Sequence, residues 1–203
     1  MMRKKPMLAY PVSAKPINYS EPTFIQPKLD GVRCLIQAEP WVTNEASGYD
    51  VVAYSRTGKE WKNIQHILFN LKPWFQLNPN VILDGELYNH DLRDNFEKII
   101  SLVRKTKPTD EDRLEASKLT QFHCYDIVDE TKTFKERNDF IKQAVPRNHC
   151  VKHVYTTRVE ESQAKIQHQA NLDEGYEGSI VRTNDTYHCK RSHNLRKFKD
   201  FSD

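Results

Sequence analysis

The chain has 203 residues and a formal charge of +3, from 31 Lys plus Arg against 28 Asp plus Glu. That length suits one large domain, residues 1–203, and 9 Phe, 9 Tyr and 3 Trp are too many core formers for a disordered chain. No 18 apolar residues run together, which excludes a transmembrane helix, and Cys34, Cys124, Cys150 and Cys189 are scattered without a CxxC pair, as in a reduced cytoplasmic protein.

The basic residues are skewed toward the ends. Arg3, Lys4, Lys5 and Lys15 precede the first acid, Glu21, and Lys190, Arg191, Arg196, Lys197 and Lys199 fall close together before Asp200. Such density suits a phosphate-bearing partner, with a solvated basic tail as the plain alternative. Prolines at 6, 11, 16, 22 and 27 bias the opening stretch to extended backbone. Beyond it, β-branched and aromatic runs predict strands at 33–37, 51–55, 81–88, 122–128, 151–156 and 179–183. Four helices are expected where apolar residues recur at helical spacing: Trp61, Ile64, Leu68 and Leu71; Phe96, Ile99, Ile100 and Val103; Phe134, Arg137 and Ile141; Val159, Ser162 and Ile166. Polar segments 39–50 and 105–112 read as loops. Strands and helices without a regular βαβ rhythm predict an α+β domain on antiparallel sheets, with no internal repeat.

Four runs carry candidate chemistry. Lys28-Leu29-Asp30-Gly31-Val32-Arg33 follows an extended stretch and contains a turn pair, so Lys28 is either a solvent-facing hairpin lysine or a reactive one. Glu86, in Leu83-Asp84-Gly85-Glu86-Leu87, and Glu177, heading Glu177-Gly178-Ser179-Ile180-Val181-Arg182, stand at strand ends. Carboxylates there form an exposed rim, or hold a hard divalent cation together with substrate phosphate. In Leu195-Arg196-Lys197-Phe198-Lys199, a strand puts both lysines on one face and Phe198 on the other, and a polyphosphate would relieve the repulsion of the two ammonium groups. His149-Cys150-x-x-His153 and the group His188, Cys189 and His193 each lack a second ligand pair and are not read as zinc sites.

In this order, KLDGVR, SRTG, LDGEL, FHCYDIV, EGSIVR and LRKFK resemble the ATP-dependent DNA ligases. These belong to the covalent nucleotidyltransferase superfamily, with RNA ligases and mRNA capping enzymes, and the resemblance runs from about residue 6 to 201. It implies an ATP-grasp-like nucleotidyltransferase domain of two antiparallel sheets flanked by helices, with the C-terminal OB-fold of full ligases absent. The implied enzyme seals 5′-phosphate/3′-OH nicks in duplex DNA through a lysyl-AMP intermediate and DNA-adenylate, in repair, replication and recombination. ATP is the AMP donor, and Mg²⁺ is the implied ion, with Mn²⁺ as a substitute. The expected partners are nicked double-stranded DNA and ATP, with no membrane, for a monomer in the cytoplasm or, in a eukaryote, the nucleus.

The resemblance also assigns roles. Lys28 is the nucleophile, whose ε-amine must be uncharged to attack, with Lys197, Lys199 and the metal opposing its protonation. Asp30 orients Lys28 or only makes the turn. Gln26 reads the adenine amino group, Tyr125 stacks on adenine where phenylalanine is more usual, and Arg33 and Glu86 lie near the ribose. Glu86 and Glu177 are the metal residues. Arg56 grips the 5′-phosphate of the nick, and Lys190 and Arg191 contact the DNA backbone. Cys189 and Ser179 depart from the glycine and aliphatic residue common at their positions. An RNA ligase or capping-type enzyme shares Lys28, Glu86, Glu177 and the terminal lysines. A catalytically silent nick-binding module is the reading from another class.

Overall fold

The computed structural model describes residues 3–199, so residues 200 and 201, the last of the resemblance, lie outside the described range. In chain order the elements are β1 (Leu8–Pro11), β2 (Thr23–Lys28), β3 (Val32–Val42), β4 (Ser47–Tyr54), α1 (Gln65–Leu77), β5 (Ile82–Tyr88), α2 (Phe96–Val103) and α3 (Asp110–Leu119). There follow β6 (Gln121–Ile127), α4 (Phe134–Ala144), β7 (Val151–His153), β8 (Thr157–Arg158), α5 (Glu161–Asp173), β9 (Gly178–Thr183) and β10 (Arg191–Phe198). They form two five-stranded sheets, one in the order β1-β10-β9-β2-β8 and the other β4-β3-β5-β6-β7. Each is antiparallel except for one edge pair: β1 runs parallel to β10 and β7 parallel to β6.

Alternation along the strands divides the core into layers. In β3, Cys34, Ile36 and Ala38 join a cluster with Ile67, Leu71 and Phe75 of α1, Ile99 and Val103 of α2, and Ile141 of α4. In β2 and β9, Ile25 and Val181 pack with Ala164 of α5. The opposite faces of the two sheets meet through Met7, Leu35, Ile82, Tyr187 and Leu195, and the candidate site lies in this middle layer. Each apolar side chain fully removed from water contributes about 1.5–3 kcal/mol.

Three expectations are revised. Segment 39–50 is not a loop, because β3 continues to Val42 and β4 begins at Ser47, pairing Glu39 with Asp50 through Val42 with Ser47. A fifth helix, α3, begins within the last three residues of the 105–112 segment that reads as a loop and runs on to Leu119; its face buries only Ala116, and it is started by a capping box between Thr109 and Asp112. α5 forms where a helix is expected but turns a different face inward. Ala164, His168 and Asn171 are buried while Ile166 is 71% exposed, because His168 Nδ1 and Asn171 Nδ2 each lie 2.8 Å from Ser179 Oγ.

Candidate active site

A cavity of about 510 Å³ opens between the sheets, within the roughly 300–1,000 Å³ usual for small-molecule sites. One wall carries Lys28, Ile180, Arg182, Leu195 and Lys197, at alternate positions of β2, β9 and β10; the other carries Arg33, Glu86 and Tyr125 of β3, β5 and β6. Arg56, Thr57 and Arg191 close the mouth. Lys197 thus faces the cavity as the alternation predicts, while Phe198 turns to the other side and stacks on His168 at 3.8 Å.

Lys28 ends β2 directly opposite Gly178. Its Nζ donates to Glu177 Oε2 at 2.7 Å, and Lys199 Nζ lies 3.2 Å from Glu177 Oε1, so one carboxylate joins the two lysines. Burial pushes the Glu177 carboxyl up, but the hydrogen bonds and charges of Lys28 and Lys199 outweigh it and hold it below the usual range. Beside the cations Lys197 and Lys199 expected near Lys28, the direct contact partner of its ammonium is an anion, Glu177. Asp30 stands close by, its carboxyl raised first by burial and then by Glu177. Asp30 makes no hydrogen bond to Lys28, which leaves the turn as its visible role. Gly31 completes that turn where a Cβ would collide with the Leu87 carbonyl.

Glu86 accepts from the Gly31 amide at 3.3 Å through Oε2 and from the Tyr125 hydroxyl at 3.1 Å through Oε1. That hydroxyl is the group by which Tyr125 differs from phenylalanine. A bulge positions the ring: Asp84 pairs with Asp126 and Gly85 with Cys124, leaving Tyr125 as the extra residue of β6. One added residue reverses the alternation, so Tyr125 and Asp126 both point into the layer between the sheets.

Behind the cavity wall lies a buried polar network. Asp126 accepts from Arg137 Nε at 2.8 Å and from Arg182 Nη1 at 2.6 Å, with all three side chains at most 2% exposed. Arg182 Nε in turn donates to Gln26 Oε1 at 2.7 Å, and Gln26 Nε2 donates to the Tyr125 carbonyl and to Thr156 Oγ1. Gln26 is 1% exposed and does not line the cavity. The carboxamide, expected to read adenine, is engaged here by Arg182, the Tyr125 carbonyl and Thr156. Arg182, whose guanidinium lies 5.2 Å from the Tyr125 ring centre, and Asp126 are the residues that sequence reasoning missed. Arg182 shares the parity of Ile180 within the run headed by Glu177, the one signal that could have found it.

Arg33 reaches the cavity, but it also forks onto Asp84 with two 2.7 Å hydrogen bonds and donates to the Met7 carbonyl at 2.8 Å. Asp84 further accepts from Tyr187 at 2.7 Å. Arg33 is thus anchored through Nε and Nη2. At the mouth, Arg56 is exposed beside Ser55, whose Oγ accepts from the Lys59 amide at 3.0 Å. Arg191 donates to the Ala9 carbonyl at 2.6 Å, and Lys190 is exposed beside it but off the cavity wall.

Glu86 stands opposite His123 in the β5–β6 register, and burial moves the two in opposite directions. The Glu86 carboxyl is pushed up from 4.5 to about 7, and the His123 imidazole, next to Lys152 and His90, is lowered from 6.5 to about 4. As pH falls through the Glu86 window, the folded state takes up a proton before the unfolded chain does, so acid stabilises. Through the His123 window the unfolded chain takes up the proton first, so acid destabilises. Each effect is worth about 3 kcal/mol when fully expressed. Calorimetric Tm should therefore change little from these groups between pH 7 and 5. Glu86→Gln should make Tm fall over that range and His123→Gln should make it rise; parallel profiles would refute the opposition.

The fold and the strand-end lysine can now be set beside known proteins. Residues 6–199 match the family described as ATP dependent DNA ligase domain. Among solved structures, one described as Pmar-Lig_PreS3 is 21% identical, with a TM-score of 0.72 over 97% of this chain and 46% of that one. A structure from a study of Lig E DNA ligases described as "DNA binding with a minimal scaffold" is 21% identical, with a TM-score of 0.68 over 98% of this chain and 70% of the other. A Chlorella virus DNA ligase-adenylate is 20% identical, with a TM-score of 0.64 over 97% and 67%. No curated protein sequence matches. The chain spans less than half the length of the first of these structures. The two-sheet architecture matches the nucleotidyltransferase domain fold of these ligase structures. The chain belongs to the ATP-dependent DNA ligase domain family.

Proposed function

We propose that this domain adenylylates itself and passes the AMP to the 5′-phosphate of nicked duplex DNA, which it then joins to the adjacent 3′-hydroxyl. The observation that carries the reading is the shared cavity: Lys28, Lys197 and Arg56 line one space of nucleotide size. In the first step the neutral Lys28 Nζ attacks the α-phosphorus of ATP. An N–P bond forms, the P–O bond to pyrophosphate breaks, and pyrophosphate leaves with the electron pair. Glu177 Oε2, at 2.7 Å, is the nearest acceptor for the proton that Nζ must first shed. Lys197 offsets charge on the reacting phosphate, and Tyr125 offers an aromatic face for the base. The 5′-phosphate oxygen then attacks the phosphorus of lysyl-AMP and releases Lys28; the 3′-hydroxyl finally displaces AMP.

The donors fit Mg²⁺, which commonly takes one or two carboxylates and fills its remaining positions with water and substrate phosphate. Glu86, on the cavity wall, and Glu177, beside Lys28, would hold it. Among the described residues no group of three or more His, Cys, Asp or Glu makes a protein cage, so the phosphates must complete the shell. When bound, the ion would neutralise phosphate charge. Among the same residues no helix is long and apolar enough to cross a membrane.

Incubation with α-labelled ATP and Mg²⁺ followed by peptide mapping tests the reading: the label should sit on the Lys28 peptide, and label from GTP in its place would point to a capping-type enzyme. Arg56→Lys tests the DNA end of the cavity. Losing a bidentate phosphate grip costs about 1.5–3 kcal/mol, so joining should slow roughly 10- to 100-fold, and far more than adduct formation. Equal slowing of both steps would place Arg56 on the nucleotide instead.

A further inference from the structure

The two basic ends of the sequence meet on one rim of the cavity. β1 pairs in parallel with β10, Leu8 opposite Arg191, and the Leu8 amide donates to the Lys190 carbonyl at 3.1 Å. Just upstream, the Met7 amide donates to the Tyr187 hydroxyl at 2.8 Å, and Lys4 pairs with Glu130 at 2.9 Å. The far end of this segment reaches the loop that carries Arg56. There the Arg3 guanidinium lies against Gly58, where a Cβ would come within 2.5 Å of Arg3 Cζ. Gly58 has φ +93, which alone favours glycine. Residues 3–9 therefore run along the mouth of the cavity, from the Arg56 loop to the strand that begins with Arg191.

Charge along this rim is unbalanced. Arg3, Lys5, Arg56, Lys190 and Arg191 are exposed, and none of them forms an ion pair among the described residues. Lys4, between two of them, has Glu130. The neighbouring acid Glu60 is tied to Tyr54 by a backbone bridge and pairs with no cation there. Glu39 and Glu60 share the surroundings of Tyr54 with Arg3, but none of the five cations has an ion-pair partner among the described residues, and a polyanionic ligand would lower their mutual repulsion. From residue 3 to residue 8 an extended chain spans at most roughly 18 Å, about the length of five base pairs.

We propose that Arg3 and Lys5 form a phosphate track that continues the DNA contact beyond Arg56, holding the backbone of the duplex on the side of its 5′-phosphate. A nucleic acid is favoured over an acidic protein because the track starts at Arg56, which shares the cavity with Lys28, so whatever fills the mouth continues onto the rim. The inference rests on the ligase reading of that cavity. It adds a sequence-independent grip supplied by the N-terminal segment, which no catalytic run of the sequence contains.

The test is the salt dependence of binding to a nicked duplex with a 5′-phosphate, using the full chain. Each phosphate contact contributes about −0.9 to the slope of log Kobs against log salt. The double variant Arg3→Ser/Lys5→Ser should flatten that slope by about 2 and weaken binding at least about 10-fold at low salt. Lys107→Ser/Lys118→Ser removes the same charge from exposed positions that line no part of the cavity, and should leave the slope as it is. Equal slopes for the two double variants would overturn the proposal. So would competition by polyglutamate as strong as by intact duplex, which would assign the rim to an acidic protein. AMP labelling separates the layers of argument. A flattened slope without any AMP adduct would retain the track and sink the ligase reading, whereas an adduct with an unchanged slope would sink the track alone.

Discussion

Replacing Lys28 by alanine should abolish the covalent AMP adduct while the domain remains folded. Removal of the covalent nucleophile of a serine protease costs about 10⁶-fold, and a loss of that order is beyond the reach of an ordinary gel assay. Folding should survive because the Lys28–Glu177 pair is partly open to water, at 20% and 31% side-chain exposure, and such pairs contribute little to stability. Glu177 also keeps Lys199. Lys28→Arg is the sharper companion: it preserves a cation for Glu177 yet offers no nucleophilic amine at neutral pH. Both variants should be silent in labelling by intact-mass spectrometry and should keep the circular dichroism spectrum. An adduct on Lys197 or Lys199 in either variant would remove Lys28 from its assigned role.

Asp126→Ala should have the largest effect on stability. Two guanidinium groups share this carboxylate, and all three side chains are essentially without solvent contact. Deleting one partner of a buried pair costs about 3–5 kcal/mol, because the charges left behind have neither water nor a counter-ion. Against a total of about 5–15 kcal/mol for a typical domain, that is about a fifth of the stability at the least. Glu130→Ala, which frees the exposed Lys4, should cost less than about 1 kcal/mol by the same reasoning. Urea titrations would measure both. Similar midpoints for the two variants would mean that water reaches the Arg137–Asp126–Arg182 group. Asp126→Ala should also loosen Gln26 and Tyr125, which lean on Arg182, so any folded fraction should bind ATP weakly.

These residues also mark what a reader of the sequence can and cannot see. Lys28, Glu86, Glu177 and Lys197 stand in runs whose residue types and order are distinctive, and the structure gathers them around one cleft. Strict alternation placed Lys197 and Phe198 on opposite faces of β10, as found. The same rule fails in β6, because nothing in Phe-His-Cys-Tyr-Asp-Ile announces a bulge, and Asp126 cannot be put beside Tyr125 without it. α3 escaped notice because its face is polar, although Thr109 and Asp112 spell its cap. α5 was found from Val159, Ser162 and Ile166, yet it packs through His168 and Asn171, whose hydrogen bonds to Ser179 no hydrophobic pattern encodes. Gln26 matches a ligand-reading position by its place in the sequence, and its three protein partners could be seen only in the structure. Long-range partners of buried polar groups lie beyond any local pattern.

The parallel pairing of β1 with β10 has a consequence for how the protein comes into being. The sheet that carries Lys28 is assembled from segments near residues 8, 25, 157, 180 and 195, so its closure waits on the last of them. A nascent chain leaving the ribosome at about 5–20 residues per second exposes its lysine many seconds before the strand that completes the cleft has been translated. On the proposed reading, self-modification by AMP waits until β10 has been translated, and a polypeptide that stops short of it consumes no ATP.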